Sequence, residues 1–351
     1  MELGTLNELV NTRSVIKHVR KHNKDMKQGV GTGNDFSLCG DMVSCEGVSC
    51  NPYIAWTKAM NNFAVSCAKP VGVRLVMLLP ESVSEADIKL YMKEFNSLAD
   101  EEDIQILGGH TEVGPSYNKA SFVVTVFGVA ACETGDTYGC VKASDNIAYT
   151  QNINKILPGD RIIMLGYAGL MGTDIIARSK KDELVKRFAY SYIEGAYFNK
   201  EEYAIRDKVR FLIDTFGKDV LYMHDVSHGG IYGALWQLGV KIKHGININH
   251  ACIPIKQETV EISEFFDINP YMLDGTGAVI AVIRGGLKEG EDGAAYGEEC
   301  EVAASGEGFP AAIIGKVTED NNKVVMLGDE REPEQRFLSP VKGDEIYKIL
   351  E

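Results

Sequence analysis

Two acidic residues on a short predicted hairpin form the first candidate site. The dipeptide Gly40-Asp41 separates two segments, and glycine at the first central position suits a two-residue type II′ turn. Facing residues then have numbers that sum to 81, which sets Asp35 opposite Glu46. Cross-strand Cβ atoms lie roughly 4.5–5.5 Å apart, so two carboxylates there repel each other unless a cation lies between them or one is protonated. Such oxygen ligands suit Mg²⁺; alternatively, the pair faces solvent and water screens the repulsion.

A second candidate follows the predicted strand Ile104–Leu107, in a segment that we predict to be a loop over Gly108–Ser116. Paired glycines allow backbone to approach a ligand closely, and an imidazole, a hydroxyl and a carboxylate come directly after them. The residues concerned are Gly108, Gly109, His110, Thr111 and Glu112. The alternative is a glycine turn beside a histidine whose hydrogen bonds are satisfied within the protein.

The third candidate is the segment His224–Gly230, which we predict to join a strand to a helix. The free N–H groups of a helix N-terminus favour phosphate, and Gly229 and Gly230 would let a ligand come close to them. Asp225 could bind a metal or accept a proton, with His224 assisting. The alternative is that Asp225 or Ser227 merely caps the helix.

Other nucleotide and hydrolase motifs are absent from the sequence. The segment Asp274–Gly277 predicts a flexible turn, but neither the Walker A pattern GxxxxGK(S/T) nor the dinucleotide pattern GxGxxG occurs. The GxSxG nucleophile elbow of serine hydrolases is also missing.

The elements that must position these residues fall into two regions. In the first, strands such as Val71–Leu79 alternate with amphipathic helices, one opened by Asn51-Pro52 and another by a capping box at Ser84–Asp87, which predicts an α+β domain. A new pattern begins near Lys155–Asp160. We therefore predict two domains, residues 1–153 and 154–351. In the second region we predict strands over Arg161–Gly166, Ala278–Ile283 and Ala311–Val317, and an exposed loop over Glu289–Gly308.

Composition excludes several classes of function. The chain has 351 residues, ordinary globular composition and a formal net charge of −14, which disfavours binding to nucleic acid or to an anionic membrane. Its eight cysteines form no C-x-x-C pair. No signal peptide or apolar membrane span is visible in the sequence. These features predict a cytoplasmic protein with reduced cysteines.

Several segments, taken together and in order, resemble the AIR-synthase (PurM-like) superfamily. Gly33-Asn34-Asp35 resembles the family's G-(D/E)-D-A-A start, and Ser44-Cys45-Glu46 resembles its T-T-D motif. Further segments match in the family's order: Met60–Ala64, Cys67–Val71, Gly108–Val113, His224–Leu235 and Asp274–Gly277. The resemblance covers about Leu6 to Leu350 and is closest to the AIR-synthase-related and hydrogenase-maturation (HypE-like) branch.

The resemblance implies a fold, a cofactor and a quaternary structure. The N-terminal domain would be α+β, with helices on one side and strands that form a barrel across a homodimer, and the C-terminal domain an α/β sandwich. ATP with magnesium would lie in the cleft between the domains, and ATP hydrolysis would activate or phosphorylate an oxygen of an unidentified small-molecule or protein substrate.

The resemblance also assigns roles to residues. Mg²⁺ would be held by Asp35, Glu46, Asn62 and Asp225. Catalysis, by proton transfer or phosphate contact, would involve Asp35, His110 and His224. The nucleotide would contact Gly33, Asn61, Gly108, Gly109, Thr111, Asp225, Gly229 and Gly230.

Departures from the family pattern leave two alternatives open. Glu46 and Asn62 stand where the family has Asp, and Phe36 replaces a small residue. HypE proteins use a cysteine at the C-terminal end, where this sequence has Ile346–Glu351, so the usual HypE reaction is not expected. The alternatives are a non-catalytic family member that acts as a partner or regulator, and a small-molecule kinase like thiamine-monophosphate kinase.

Overall fold

The structure, a computed structural model, describes residues 3, 5–20, 23–130, 152–285, 308–327 and 334–350. The predicted loop Glu289–Gly308 lies outside these residues apart from Gly308, as do Cys132, Cys140 and Cys300. The chain divides into two compact units. The six-stranded unit comprises Lys21–Val30 and Asn34–Thr150, and the seven-stranded unit comprises Met1–Arg20, Gly31–Gly33 and Gln151–Glu351. The predicted domain boundary between residues 153 and 154 stays a prediction.

The elements are numbered in chain order. The strands are β1 Met26–Gln28, β2 Ser37–Cys39, β3 Met42–Ser49, β4 Lys69–Leu79, β5 Gln105–Val113, β6 Ser121–Val129, β7 Arg161–Leu165, β8 Val220–Val226, β9 Gly245–Asn249, β10 Ala278–Ile283, β11 Ala311–Thr318, β12 Lys323–Leu327 and β13 Glu334–Phe337. The helices are α1 Glu8–Ser14, α2 Pro52–Ala64, α3 Glu85–Glu101, α4 Leu170–Ser179, α5 Lys181–Leu184, α6 Tyr190–Gly195, α7 Lys200–Tyr203, α8 Arg206–Phe216, α9 Gly230–Ile242 and α10 Gln257–Phe265.

The sheet of the six-stranded unit has the order β1-β2-β3-β6-β4-β5. Its described pairings are antiparallel except for β4 with β5, which are parallel. Burial alternates along β3, where Val43 and Cys45 are buried while Glu46 and Val48 are exposed. Because successive side chains of a strand point to opposite faces, this sheet has a buried inner face and an exposed outer face.

Helices α2 and α3 begin where the sequence predicts. The Asn51 side chain accepts a hydrogen bond from the N–H of Ile54 at 3.0 Å, with Pro52 in the first turn. Ser84 and Asp87 form a capping box at the start of α3. Aromatic rings join the helices to the sheet, since Phe95 lies 6.5 Å from Trp56 and 5.7 Å, edge to face, from Phe122 between ring centroids.

The sheet of the seven-stranded unit has the order β13-β12-β9-β11-β7-β10-β8, and among its described pairings only β9 with β12 is parallel. All residues of β8 and β10 are buried, so both faces of the sheet are covered there. Buried residues of α9, including Leu235 and Leu238, share one hydrophobic cluster with Tyr222 and Ile280 of these strands. This unit is therefore an α/β sandwich with β8 at one edge of its sheet.

Two further observations concern both units within the described residues. The five cysteines among the described residues, Cys39, Cys45, Cys50, Cys67 and Cys252, form no disulfide with one another. In the described part of the chain no helix has both the length and the apolarity that crossing a membrane requires.

Truncation of Phe95 tests the core of the six-stranded unit. Phe95 is completely buried, so we expect Phe95→Ala to lower the free energy of unfolding by about 3–5 kcal/mol. Leu90→Ala on the same helix is the control, because Leu90 is 62% exposed and should cost less than about 1 kcal/mol. Urea denaturation monitored by circular dichroism measures both, and equal losses would contradict the assignment of the core.

Candidate functional site

The predicted hairpin register is confirmed, but the hairpin is shorter than predicted. Cys39 pairs with Met42 and Ser37 with Ser44, as the two-residue turn requires. The β2–β3 pairing ends there, so Asp35 does not face Glu46 in the ladder, and that part of the prediction is wrong. The physical reason lies at Phe36, whose carbonyl accepts a hydrogen bond from Gln28 Nε2 at 2.9 Å while its side chain is buried.

Glu46 lies on the exposed face of β3 with Asn62 of α2 beside it. The Nδ2 of Asn62 donates to the backbone carbonyl oxygen of Glu46 at 2.9 Å. The structure therefore brings together two of the four predicted metal ligands. Asn61, the adjacent predicted nucleotide contact, is only 2% exposed, so its side chain lies in the interior of the unit.

The predicted loop Gly108–Ser116 is wrong over its first six residues, because β5 continues to Val113 and pairs with β4. The paired glycines are part of this strand. A Cβ atom on Gly109 would lie 1.7 Å from the carbonyl oxygen of Leu75. The second glycine is therefore required by the close approach of the two strands, which is a structural rather than a ligand-binding reason.

His110 and Glu112 lie on the outer face of the same sheet as Glu46. His110 pairs with Val76 of β4, and Arg74 lies two residues before Val76 on the same face of that strand. Arg74 pairs with Thr125 of β6, and Thr125 pairs with Glu46 of β3. Alternation along β5 sends Thr111 to the face opposite His110. The outer face thus carries Glu46, Arg74, His110, Glu112 and Thr125.

Glu112 is bound from two sides by its neighbours. His110 Nε2 lies 3.2 Å from Glu112 Oε2, and the Tyr117 hydroxyl donates to Glu112 Oε1 at 3.4 Å. Partial desolvation and the nearby Glu112 carboxylate raise the pKa of Tyr117. The side chain of His110 is 63% exposed, so its ring can reach a ligand while Glu112 orients it.

In the seven-stranded unit, His224 belongs to a network of polar side chains. Its Nε2 lies 2.7 Å from Oε1 of Gln237, and Gln237 Nε2 donates to Glu8 Oε1 at 3.1 Å. The other oxygen of Glu8 accepts from Thr32 Oγ1 at 2.8 Å. Because an amide oxygen only accepts, the Nε2 of His224 carries a proton. His224 therefore joins β8 to α9, α1 and residue 32.

Gly33 is held beside this network. The hydroxyl of Tyr222 donates to the carbonyl oxygen of Gly33 at 2.7 Å, and a Cβ atom on Gly33 would lie 2.9 Å from that hydroxyl. Tyr222 and His224 are two residues apart on β8, so they lie on one face of the strand. Together with the φ of 68° at this residue, this contact explains structurally why glycine occupies position 33.

Asp225 points to the opposite face of β8 from His224, since adjacent residues of a strand alternate. It is 3% exposed and pairs in the ladder with Val279. The prediction that these two side chains assist each other at one place is therefore wrong. Although His224 and Asp225 are adjacent in sequence, the alternation of side chains along a strand directs them to opposite faces of the sheet.

The strand–turn–helix arrangement predicted for His224–Gly230 is confirmed, but its two glycine N–H groups are already used. Gly229 donates to Asp344 Oδ2 at 2.8 Å, and Gly230 donates to the carbonyl oxygen of Ser227 at 3.0 Å. These groups do not point freely at a ligand. Gly230 has a φ of 62°, and a Cβ atom there would lie 2.5 Å from the carbonyl oxygen of Tyr271.

Asp344 is a contact of the Gly229 turn that the sequence does not predict. Its carboxylate lies with His228 and Asp274 in a group whose possible ligand atoms are within 4.8 Å of one another, the only such group of three in the described part of the chain. A lone aspartate before Ile346 predicts at most a local cap, which is also present at 2.9 Å. Nothing in the local pattern links it to Gly229.

A cavity of about 700 Å³ lies in the same unit and contains none of the predicted site residues. The C-terminal residues 336–345, with Tyr347 and Lys348, form much of its wall. Asp344 thus lines this cavity and also contacts the turn at Gly229.

Comparison with known proteins identifies the family. The family model "AIR synthase related protein, N-terminal domain" matches residues 52–130, and "AIR synthase related protein, C-terminal domain" matches residues 158–328. The chain belongs to the AIR synthase related family. In sequence and fold it is similar to HypE and hydrogenase expression/formation proteins.

Two relatives illustrate the similarity in sequence. The chain is 23% identical over 298 residues to a putative hydrogenase expression/formation protein of Methanocaldococcus jannaschii, covering 84% of this chain and 78% of that protein. It is 22% identical over 268 residues to the carbamoyl dehydratase HypE of Bradyrhizobium diazoefficiens, covering 76% of this chain and 69% of that protein.

Solved structures share the fold. A HypE–HypF complex matches with a TM-score of 0.66 and 19% identity, over 88% of this chain and 94% of that chain. HypE in complex with ATP matches with a TM-score of 0.66 and 16% identity, over 88% of both chains. Thiamine monophosphate kinase from Aquifex aeolicus matches with a TM-score of 0.58 and 12% identity, over 90% and 97%. The predicted two-domain PurM-like fold is confirmed; at these identities the likeness concerns the fold alone.

Gly230→Ala tests the close approach at the glycine turn. We expect it to lower the free energy of unfolding by at least about 2 kcal/mol, because the new methyl group meets backbone oxygens and the left-handed conformation penalises alanine. Gly233→Ala, one turn along α9, meets nothing closer than 3.4 Å and should be neutral or stabilising by up to about 1 kcal/mol. Thermal and urea denaturation of both variants measure the difference; similar behaviour would refute the close contact.

Proposed function

We propose that the chain binds ATP with Mg²⁺ and couples ATP hydrolysis to the activation or phosphorylation of a substrate oxygen. The observation that carries the proposal is the family match to both units, combined with the fold likeness to a HypE structure that contains ATP. The matched ranges include Asn62, His110 and the Asp225–Gly230 segment. Phosphoryl chemistry depends mainly on positioning and on neutralising phosphate charge, which are the roles that these residue types can fill.

The donor set around Glu46 fits magnesium. Asn62 commits its Nδ2 to the carbonyl oxygen of Glu46, which leaves its Oδ1 as the group that can ligate. Glu46 itself is exposed and adds a carboxylate, and Mg²⁺ takes oxygen ligands of this kind together with water and substrate phosphates. Bound there, the ion would neutralise phosphate charge. We propose Asp35 and Asp225 as the remaining protein ligands, from the family resemblance.

Of the two histidines, we assign proton transfer to His110. A general acid or base must reach the reacting group within hydrogen-bond distance. His110 is largely exposed, and its neighbour Glu112 holds the ring. His224 is 5% exposed and its Nε2 is bound to Gln237, so we propose that it supports β8 rather than exchanging protons.

We propose that the Gly229–Gly230 turn shapes the site rather than donating its two N–H groups to phosphate. Both groups have acceptors within the protein. The turn directly follows the strand that carries Asp225, so its conformation sets where that strand ends. The positive end of the α9 dipole still favours an anion near this turn.

A homodimer, a protein partner and a cytoplasmic location complete the proposal. The outer face of the six-stranded sheet exposes apolar side chains, with Met42 55%, Val48 60% and Val129 41% exposed, and a second copy of the chain would cover them. The solved HypE–HypF complex supports a protein partner for a chain of this fold.

The two alternatives make different predictions about nucleotide. Asn62 and Phe36 motivate a non-catalytic family member, which would bind ATP weakly or not at all. A kinase would release a phosphorylated product, whereas the proposed enzyme releases phosphate after the substrate oxygen has been activated. Product analysis by mass spectrometry separates these two catalytic outcomes.

Thermal stabilisation by nucleotide tests the proposal directly. A ligand that binds only the folded state raises stability, by about 2.7 kcal/mol at a hundredfold excess over its dissociation constant. We therefore expect millimolar Mg²⁺-ATP to raise the melting temperature by several degrees, and ATP with EDTA to raise it less. An unchanged melting temperature would support the non-catalytic alternative.

Asp35→Asn tests the assignment of the first acid. It removes the charge without changing the shape, so we expect ATP turnover to be abolished with little loss of stability. Asp41→Asn is the matched control, since Asp41 is an exposed acid in the β2–β3 turn that forms an ion pair with Lys27 at 3.6 Å. Phosphate release measures turnover. Wild-type activity in the Asp35 variant would remove Asp35 from the site.

A further inference from the structure

The buried carboxylate of Asp344 contacts two glycine-bearing turns of the seven-stranded unit, one at Gly229 and one at Asp274–Gly277. The side chain of Asp344 has no exposed surface. Its Oδ2 accepts the N–H of Gly229 at 2.8 Å, and its Oδ1 accepts the N–H of Asp274 at 3.3 Å and that of Ile346 at 2.9 Å. One carboxylate therefore contacts two segments that precede it in the chain, one by 115 residues and the other by 70.

Three converging N–H donors require a group that only accepts. An ionised carboxylate meets this requirement with both of its oxygens, and hydrogen bonds to a charged acceptor are stronger than neutral ones. A buried charge without such partners would be costly. The N-terminal end of α9, which begins at Gly230, also favours a negative charge at this place.

The surroundings of Asp344 hold the two turns together. The N–H of Gly275 donates to the carbonyl oxygen of Ser227 at 3.1 Å, so the turns touch directly as well as through Asp344. His228 lies on the other side. Its Nε2 accepts the N–H of Thr5 at 3.1 Å, so Nδ1 carries the proton and faces Asp344 Oδ2 at 3.7 Å.

The neighbouring acid has a different set of contacts. Glu345 is 6% exposed and its Oε2 accepts from the N–H of Asn269 at 3.2 Å and from Lys348 Nζ at 2.6 Å. Among the described residues, these side-chain hydrogen bonds reach neither the Gly229 turn nor the Asp274 turn. Glu345 is therefore a matched control for the burial and charge of Asp344, without the connection to Gly229.

We propose that Asp344 is a positioning residue for nucleotide binding. It does not touch the ligand; it holds the Gly229 turn in the conformation that places the end of β8, and with it Asp225, for the nucleotide. The inference rests on the proposed function. Loss of the acceptor would leave the N–H groups of Gly229 and Asp274 buried without a partner, and the relaxed turn would lose the preorganisation on which binding depends.

Asp344→Asn is the test, because it keeps the shape but turns an NH₂ group toward one of the two turns. We expect its dissociation constant for Mg²⁺-ATP, measured by calorimetry, to rise at least tenfold, with a larger effect on KM than on kcat. Amide hydrogen exchange at Gly229 or Asp274 should accelerate in this variant. Glu345→Gln should lower the melting temperature by a similar amount but leave the dissociation constant within about twofold.

The possible outcomes are distinct. Equal nucleotide affinities in wild type and Asp344→Asn, or equal weakening in both variants, would overturn the inference and leave the proposed function standing. Absence of Mg²⁺-ATP binding by the wild-type chain would overturn the proposed function and this inference with it. If Asp344→Asn fails to fold, amide hydrogen exchange in the wild-type chain is the test. An unprotected Gly229 amide there would also overturn the inference.

Discussion

The backbone of residues 271–273 lies so close to Gly230 that no side chain fits between them. This contact constrains the seven-stranded unit around its candidate motifs. Strand β10 begins a few residues later and pairs with β8 in a register that sets Val279 beside Asp225. The two turns are therefore fixed twice, by the ladder between their strands and by the contact at Gly230. Asp344 adds a third link, which reaches both turns with one carboxylate.

Strand alternation divides the polar residues of β8 between two regions. His224 and Tyr222 face α9 and hold α1 and residues 32–33 through the hydrogen bonds of Gln237 and of Tyr222 itself. Asp225 faces the other way. His224 and Asp225, which are adjacent in the motif, thus have different structural roles. The buried hydrogen-bond network explains why position 224 is a histidine, and it requires no part for His224 in proton transfer.

Local patterns in the sequence predict local structure well. The Gly40-Asp41 turn predicts the hairpin register, and the caps at Asn51 and Ser84 predict where two helices begin. The predictions fail where contacts with residues distant in sequence determine the local structure. Gly109 predicts a loop, but it lies in strand β5, where the backbone of Leu75 comes too close for any side chain. Strand β2 is short because Gln28 donates a hydrogen bond to the carbonyl oxygen of Phe36. Asp344 could not be predicted, because its partners lie 70 and 115 residues away.

The amide at position 62 shows how one departure from the family pattern is accommodated. Asn62 donates to the carbonyl oxygen of Glu46, and an aspartate, which accepts only, could not form this hydrogen bond. The amide therefore ties α2 to β3 at the candidate metal site. It also removes one negative charge and with it a repulsion against the Glu46 carboxylate. Under the proposed function, a metal ion at this site is held less by protein charge and more by the phosphates of the nucleotide, which couples the binding of ion and nucleotide.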